Sequence, residues 1–199
     1  MTMTPELIQP IVVAFSAALT ENILLTKFLG MCPFLSVSRQ VKSSLGLGWA
    51  VLFVLTGTSV LNWVVYRYVL MPLHLESMRF ILFIIVIAAF VQFVEMVLER
   101  YLPVLYQSLG IFLPLITVNC AILGSALFIT IREYNLANAV AFAFGSGAGW
   151  MVAILAMAGI RERLDSSRIP EGLQGPGIAL IVVGHMALAF VGFTGVLAG

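Results

Sequence analysis

Charge is what this chain has least of. Asp, Glu, Lys and Arg make up 10% of its 199 residues, against about 25% in an ordinary soluble domain. Ten basic and nine acidic side chains leave a net charge of +1. No basic face exists to neutralise phosphates, so nucleic-acid binding is excluded. Two cysteines are too few for a disulfide scaffold. Met1 to Gln9 hold no Lys or Arg, which a cleavable signal peptide requires, so the apolar segments are expected to stay in the mature chain. A Gly-rich phosphate loop, a nucleophile triad and a dinucleotide fingerprint are also missing, so a nucleotide would have to bind on another chain. What the sequence does have is 61% hydrophobic residues and a mean hydropathy of +1.10, the composition of a membrane protein.

Uncharged runs extend over Leu7–Thr20, Ser43–Tyr66, Phe80–Val94, Tyr101–Ile131, Tyr134–Ile160 and Gly172–Gly199. A spanning helix needs about 20 mostly apolar residues. Four runs meet that outright; the first does so if it continues past Glu21 and Lys27 to Ser38, and the third if it passes Glu95 to Leu98. The expectation is an all-α integral membrane protein of six transmembrane helices in a single domain, residues 1–199. A membrane barrel would need short alternating strands, which continuous runs do not supply. The first and fourth segments would each measure roughly 46–48 Å as straight helices, so both should be broken. Pro33, Pro103 and Pro114 are the candidate breakers.

With the amino terminus outside, Arg39, Lys42, Arg100, Arg161, Arg163 and Arg168 fall in inside loops and Arg67, Arg79 and Arg132 in outside ones. That excess favours both termini outside. The one substantial loop is expected from Arg161 to Gly177, on the cytoplasmic side.

The two halves resemble each other. Gly46-Leu47-Gly48-Trp49 lies over Gly147-Ala148-Gly149-Trp150, and Ala89-Phe90-Val91-Gln92-Phe93 over Ala189-Phe190-Val191-Gly192-Phe193. A three-helix unit repeated once, Leu7–Leu98 and then Tyr101–Gly199, must enter the bilayer in opposite senses. Inverted repeats of this kind place their functional site near the midplane, on discontinuous helices. Here those are helices one and four, and each holds one cysteine. Cys32 and Cys120 stand closer than the glycine motifs do, so extra residues are expected between helices four and five, near Arg132 to Asn138.

Cys32 lies in Phe28-Leu29-Gly30-Met31-Cys32-Pro33-Phe34, and Cys120 in Pro114-Leu115-Ile116-Thr117-Val118-Asn119-Cys120. Free cysteines are commonly small buried hydrophobes; a disulfide and a metal pair are the alternatives. Thiolate ligands need open backbone and a soft ion. Two cysteines cannot complete a four-thiolate site, so an iron–sulfur cluster would take its other ligands from a partner chain.

Other side chains call for an account as well. Glu21, Lys27 and Glu95 each cost about 2.5–3.5 kcal/mol inside a bilayer. Glu21 and Lys27 are about 600° apart round a helix, so each should pair with another segment. Glu95 is a candidate for a cation path, or a carboxylate at the cytoplasmic interface. Asn22 and Asn119 are candidates to donate to sulfur, to hold opened backbone or to bond between helices. His185 reads as a satisfied core histidine. Gly46, Gly48, Gly145, Gly147 and Gly149 permit close helix packing, and the methionines fill the core.

Phe28-Leu29-Gly30-Met31-Cys32, Leu109 to Cys120, Gly145-Ser146-Gly147-Ala148-Gly149-Trp150 and Ile160-Arg161-Glu162-Arg163 resemble one family over nearly the whole chain. Its members are small membrane proteins shared by two complexes: the E component of the sodium-pumping NADH:quinone oxidoreductase Nqr and the A component of the ferredoxin:NAD oxidoreductase Rnf. The resemblance implies a multi-pass protein of the bacterial inner membrane with periplasmic termini, in a six-subunit complex. Its partner would be a homologous protein of inverted topology, the D component in Nqr or the E component in Rnf. Between them they would hold an intramembrane [2Fe-2S] cluster, with Cys32 and Cys120 matching the cysteine positions, while flavins and NADH bind other subunits. The implied role is an electron relay coupled to Na+ transport, with acidic residues such as Glu95 candidates for cation uptake. Glu21-Asn22, Val118-Asn119-Cys120 and the Gly145 to Trp150 string look more like the Nqr member, and Lys27-Phe28, Cys32-Pro33-Phe34 and Arg161-Glu162-Arg163-Leu164 more like the Rnf one; the resemblance favours Nqr, with Rnf, coupled to Na+ or H+, the alternative. A reading from another class, a small secondary transporter or channel, also accommodates inverted repeats and broken helices.

Overall fold

The computed structural model describes residues 5–38, 40–74, 76–101, 116–117, 119–165 and 175–196. Its main helices are α1 (Pro5–Ala18), α2 (Met31–Val37), α3 (Val41–Val65), α4 (Arg79–Tyr101), α5 (Cys120–Ile131), α6 (Leu136–Asp165) and α7 (Pro176–Val196). A π-helical turn, Tyr66–Leu70, and a last turn, Met71–Leu73, prolong α3. His74, at φ 53°, stops it. There is no strand among the described residues.

Three stretches among the described residues are long and apolar enough to cross a membrane: Val41–Leu73, Arg79–Val97 and Leu136–Leu164. Shorter apolar helices run over Gln9–Ala18, Cys120–Ile131 and Pro176–Gly192. The described architecture is therefore all-helical and apolar, with fewer full-length spans than the uncharged runs alone suggest.

α6 lies at the centre, packed by α1 on one side and by α3 on another. Lipid offers no hydrophobic drive for helices to associate, so close approach rests on small side chains. The Gly145-Ser146-Gly147-Ala148-Gly149 stretch supplies them. A methyl group placed on Gly147 would stand 3.1 Å from Leu52 Cα, and one on Gly149 2.5 Å from the Ala18 carbonyl oxygen. On α3, Gly48 faces Met151. Large apolar side chains such as Ile81, Ile84 and Phe93 on α4 and Leu180 and Leu188 on α7 are exposed.

Both ends of the Leu7–Ser38 segment are helical, and its middle is not. The break comes at residues 19–30 and not at Pro33, which sits in the first turn of α2, where its missing N–H has no intrahelical partner to lose. The chain leaves α1 through i to i−5 bonding, Glu21 N–H to the Ser16 carbonyl at 2.7 Å. It passes two left-handed residues, Phe28 at φ 54° and Gly30 at φ 86°. In the fourth segment α5 starts afresh at Cys120 behind an extended Asn119; Pro103 and Pro114 lie outside the described residues.

Two further expectations are corrected. The connection between α5 and α6 is a short turn at 132–135, so the extra residues of the second half are helical: α5 has 12 residues where α2 has 7, and α6 begins further ahead of Gly149 than α3 does ahead of Gly48. The expected loop from Arg161 is shorter at its start, because α6 continues to Asp165. Arg161 holds that extension by donating to the Leu35 carbonyl at 2.9 Å and Ser38 Oγ at 3.0 Å.

Candidate metal centre

Each cysteine stands in the first turn of a helix that begins after a break. Cys32 is the second residue of α2, behind Gly30 and Met31; Cys120 is the first residue of α5, behind Asn119. Asn119 caps α5 through its side chain, with Oδ1 accepting from the Ala121 N–H at 3.0 Å. Such a cap satisfies one of the free N–H groups of the first turn.

The two breaks meet. The Gly30 N–H donates to Cys120 Sγ at 2.9 Å, joining the chain just before α2 to the first residue of α5. Glycine is required there twice over: φ is +86°, and a methyl group would stand 2.7 Å from Trp150 Nε1 and 3.1 Å from Asn119 Oδ1. Trp150 is the midpoint of the 30-residue α6, so the thiol of Cys120 sits close to mid-span. Cys120 is half-buried and Cys32 exposed; both are free. Among the described residues no group of three His, Cys, Asp or Glu gathers as a metal site.

Asn22 holds the opened backbone of the first segment. Its Nδ2 donates to the Ala18 and Gly149 carbonyls at 3.1 and 2.9 Å, and its Oδ1 accepts from the N–H groups of Leu24 and Leu25 at 3.1 and 3.4 Å. All four partners are backbone, which closes one break against the glycine face of α6. Glu21 and Lys27 do turn to another segment, and it is the same one. Glu21 pairs with Arg132 at the end of α5, Oε2 to Nη2 at 2.6 Å, and Lys27 Nζ lies 6.0 Å from the centre of the Phe128 ring on α5. The Arg132 guanidinium is held above its usual value: burial opposes the charge, and the hydrogen bonds to Tyr134 and Glu21 outweigh it.

Glu95 is half-buried on α4, within the span Arg79–Val97. His185 is satisfied, with Nδ1–H on the Ile181 carbonyl at 2.8 Å. It lies on the exposed side of α7 and not in the core: the i to i−4 bond is made within its own helix and needs no burial.

Two groups escaped the sequence reading of the site. Trp150 entered there only through its repeat and family motif, and its matched residue Trp49 is 60% exposed whereas Trp150 is fully buried. Nothing in the sequence separates them; the neighbours do. Gly30 acts through its main-chain N–H, which no residue-type pattern reports.

The family described as "Rnf-Nqr subunit, membrane protein" matches residues 11–197. The chain belongs to the Rnf-Nqr family. It is 53% identical over 182 residues to the E component of the Na(+)-translocating NADH-quinone reductase of Aeromonas hydrophila, covering 88% of this chain and 92% of that one. The protein of the same description from Aeromonas salmonicida is 53% identical over the same length and shares. Within an Rnf-Nqr protein the conjunction of Gly30, Asn119, Cys120 and Trp150 at mid-span is the feature with chemical content.

Proposed function

We propose that this chain is a membrane electron-relay subunit of an ion-translocating NADH:quinone oxidoreductase, equivalent to the E component of Nqr, and that Cys32 and Cys120 supply its half of an intramembrane [2Fe-2S] cluster. One observation carries the reading: the Gly30 N–H on Cys120 Sγ, which draws the two cysteine-bearing breaks together at the midpoint of α6. The donor set fits such a cluster. Thiolates are its usual ligands, and N–H groups directed at sulfur stabilise the charge that ligation leaves there. Cys120 at the start of α5 also gains from the positive end of that helix. The exposure of Cys32 suits a thiol that faces a second polypeptide bringing the remaining ligands.

When bound, the cluster supplies one-electron chemistry. This chain's own residues hold the scaffold: Asn22 ties the first break to α6, Asn119 caps α5, and Gly30 admits close approach. The partner in this reading is a homologous subunit in the opposite membrane orientation, and the chain itself crosses the inner membrane six times as two inverted three-helix repeats with periplasmic termini. NADH and flavins belong to other subunits. Relatives described as Na+-translocating support Nqr over Rnf and Na+ as the coupled ion, with Glu95 a candidate on its path.

Cys32→Ser and Cys120→Ser in the assembled complex test this. Each is expected to abolish the signal of the shared cluster in electron paramagnetic resonance and to lower NADH:quinone turnover at least 100-fold, with the subunits still assembled. Full turnover with unchanged iron in either variant rejects the relay. Solute uptake by the chain reconstituted alone would favour the transporter instead.

A further inference from the structure

Trp150 Nε1 and Asn119 Nδ2 are buried and have no hydrogen-bond partner; their residues are 0% and 4% exposed. An indole N–H can only donate, and a buried donor without an acceptor is costly and uncommon in a native interior. The Asn119 amide cannot be turned round to remove the anomaly, because the Ala121 N–H requires an oxygen at the atom 3.0 Å away. Both side chains flank Gly30: a methyl group there would stand 2.7 Å from the Trp150 Nε1 donor and 3.1 Å from Asn119 Oδ1, on the same amide as the free Nδ2. The Gly30 N–H is itself a donor, already directed at Cys120 Sγ at 2.9 Å. Three N–H donors thus converge on the first turn of α5 and only one has an acceptor.

We propose that Trp150, with Asn119 beside it, is a positioning residue that donates its N–H to sulfur of the cluster and raises the cluster's reduction potential. The inference rests on the relay reading above and adds a role for a side chain on α6, which supplies no ligand. Reduction adds one electron to the cluster and breaks no bond; the added negative charge resides partly on sulfur, so a donor aimed there binds the reduced state more strongly than the oxidised one. Burial of Trp150 intensifies the effect, since its N–H has no water to donate to instead.

The test is a redox titration of the purified complex, followed by electron paramagnetic resonance, in wild type and in Trp150→Phe, which keeps an aromatic ring and removes the N–H. At a fixed poise the reduced-to-oxidised ratio is expected to fall about tenfold, or about 59 mV for one electron, with iron content unchanged. Wild-type complex labelled with nitrogen-15 at the indole nitrogen should also show a hyperfine coupling to the reduced cluster. That coupling should persist when Trp49 and Trp63 are replaced by Phe, leaving Trp150 as this chain's one labelled indole, so the result does not depend on Trp150→Phe folding. An unchanged potential, or no nitrogen coupling in a complex that has its cluster, overturns the donor role and leaves the relay standing. A wild-type complex without the cluster overturns the relay and this inference with it.

Discussion

Asn22 and Glu21 are neighbours in sequence with very different stakes. Asn22 is fully buried and meets four backbone groups, two of them N–H groups that a break in a helix would otherwise leave bare. Removing one partner strands the others without water, at about 1–3 kcal/mol for each unsatisfied group. Asn22→Ala is therefore expected to destabilise the protein by about 3 kcal/mol, measured by thermal unfolding of the complex in detergent. Glu21→Gln should cost under about 1 kcal/mol in the same assay, because its ion pair with Arg132 is 39% and 35% exposed and such pairs contribute little. The pair should also be insensitive to alkali, since the Arg132 pKa is raised from an already high value. Equal losses for the two variants would contradict this account. Asn22 stood out in the sequence as a polar residue in an apolar run. Its four partners did not, because Gly149 is remote in sequence and only folding brings it near.

Among the elements, the broken first segment and the glycine face of α6 depend on each other. Pro33 is the visible breaker in the sequence, yet it occupies a helix start, and the distortion lies upstream at residues 19–30. Pro33→Ala is expected to change stability by less than about 1 kcal/mol, and a gain of helix in circular dichroism, as residues 19–30 close up, would show that proline is the cause after all. Gly149→Ala should be severe, since its methyl group would press on the Ala18 carbonyl at 2.5 Å and on Asn22 Nδ2 at 2.9 Å. Overpacking of this kind costs about 1–3 kcal/mol. Gly184→Ala on α7, where nothing lies within 4 Å, should be neutral or stabilise by up to about 1 kcal/mol. Unfolding midpoints for the pair measure the contrast. The pattern of glycines on α6 was legible as a packing face. Which helix it would receive was not, because apolar neighbours of similar size look alike in a sequence.

For the whole molecule, the arithmetic of ligands governs. In the proposed relay the two cysteines would supply half of a four-thiolate centre, and no group of three His, Cys, Asp or Glu gathers among the described residues to complete one. Expressed without its partner subunits, the chain is expected to retain less than about a tenth of the iron bound per chain in the complex, because affinity of such a site falls steeply with each missing ligand. Iron analysis after affinity purification decides it, and stoichiometric iron on the isolated chain would mean that the thiols need no partner. The exposed apolar faces of α4 and α7 belong to the same picture of a protein whose surroundings are lipid and neighbouring chains.

Membrane residence, the helical class, the need for breaks in two segments and the pair of cysteines were all determined by the sequence, because hydropathy, length and ligand count are properties of the chain read in order. The tertiary structure decided the rest: that the breaks meet through a main-chain N–H on Cys120, that Asn22 closes one of them against α6, and that Trp150 is buried beside Gly30 while its repeat-mate Trp49 faces outward. These are matters of distance between remote residues, and distance is set by packing.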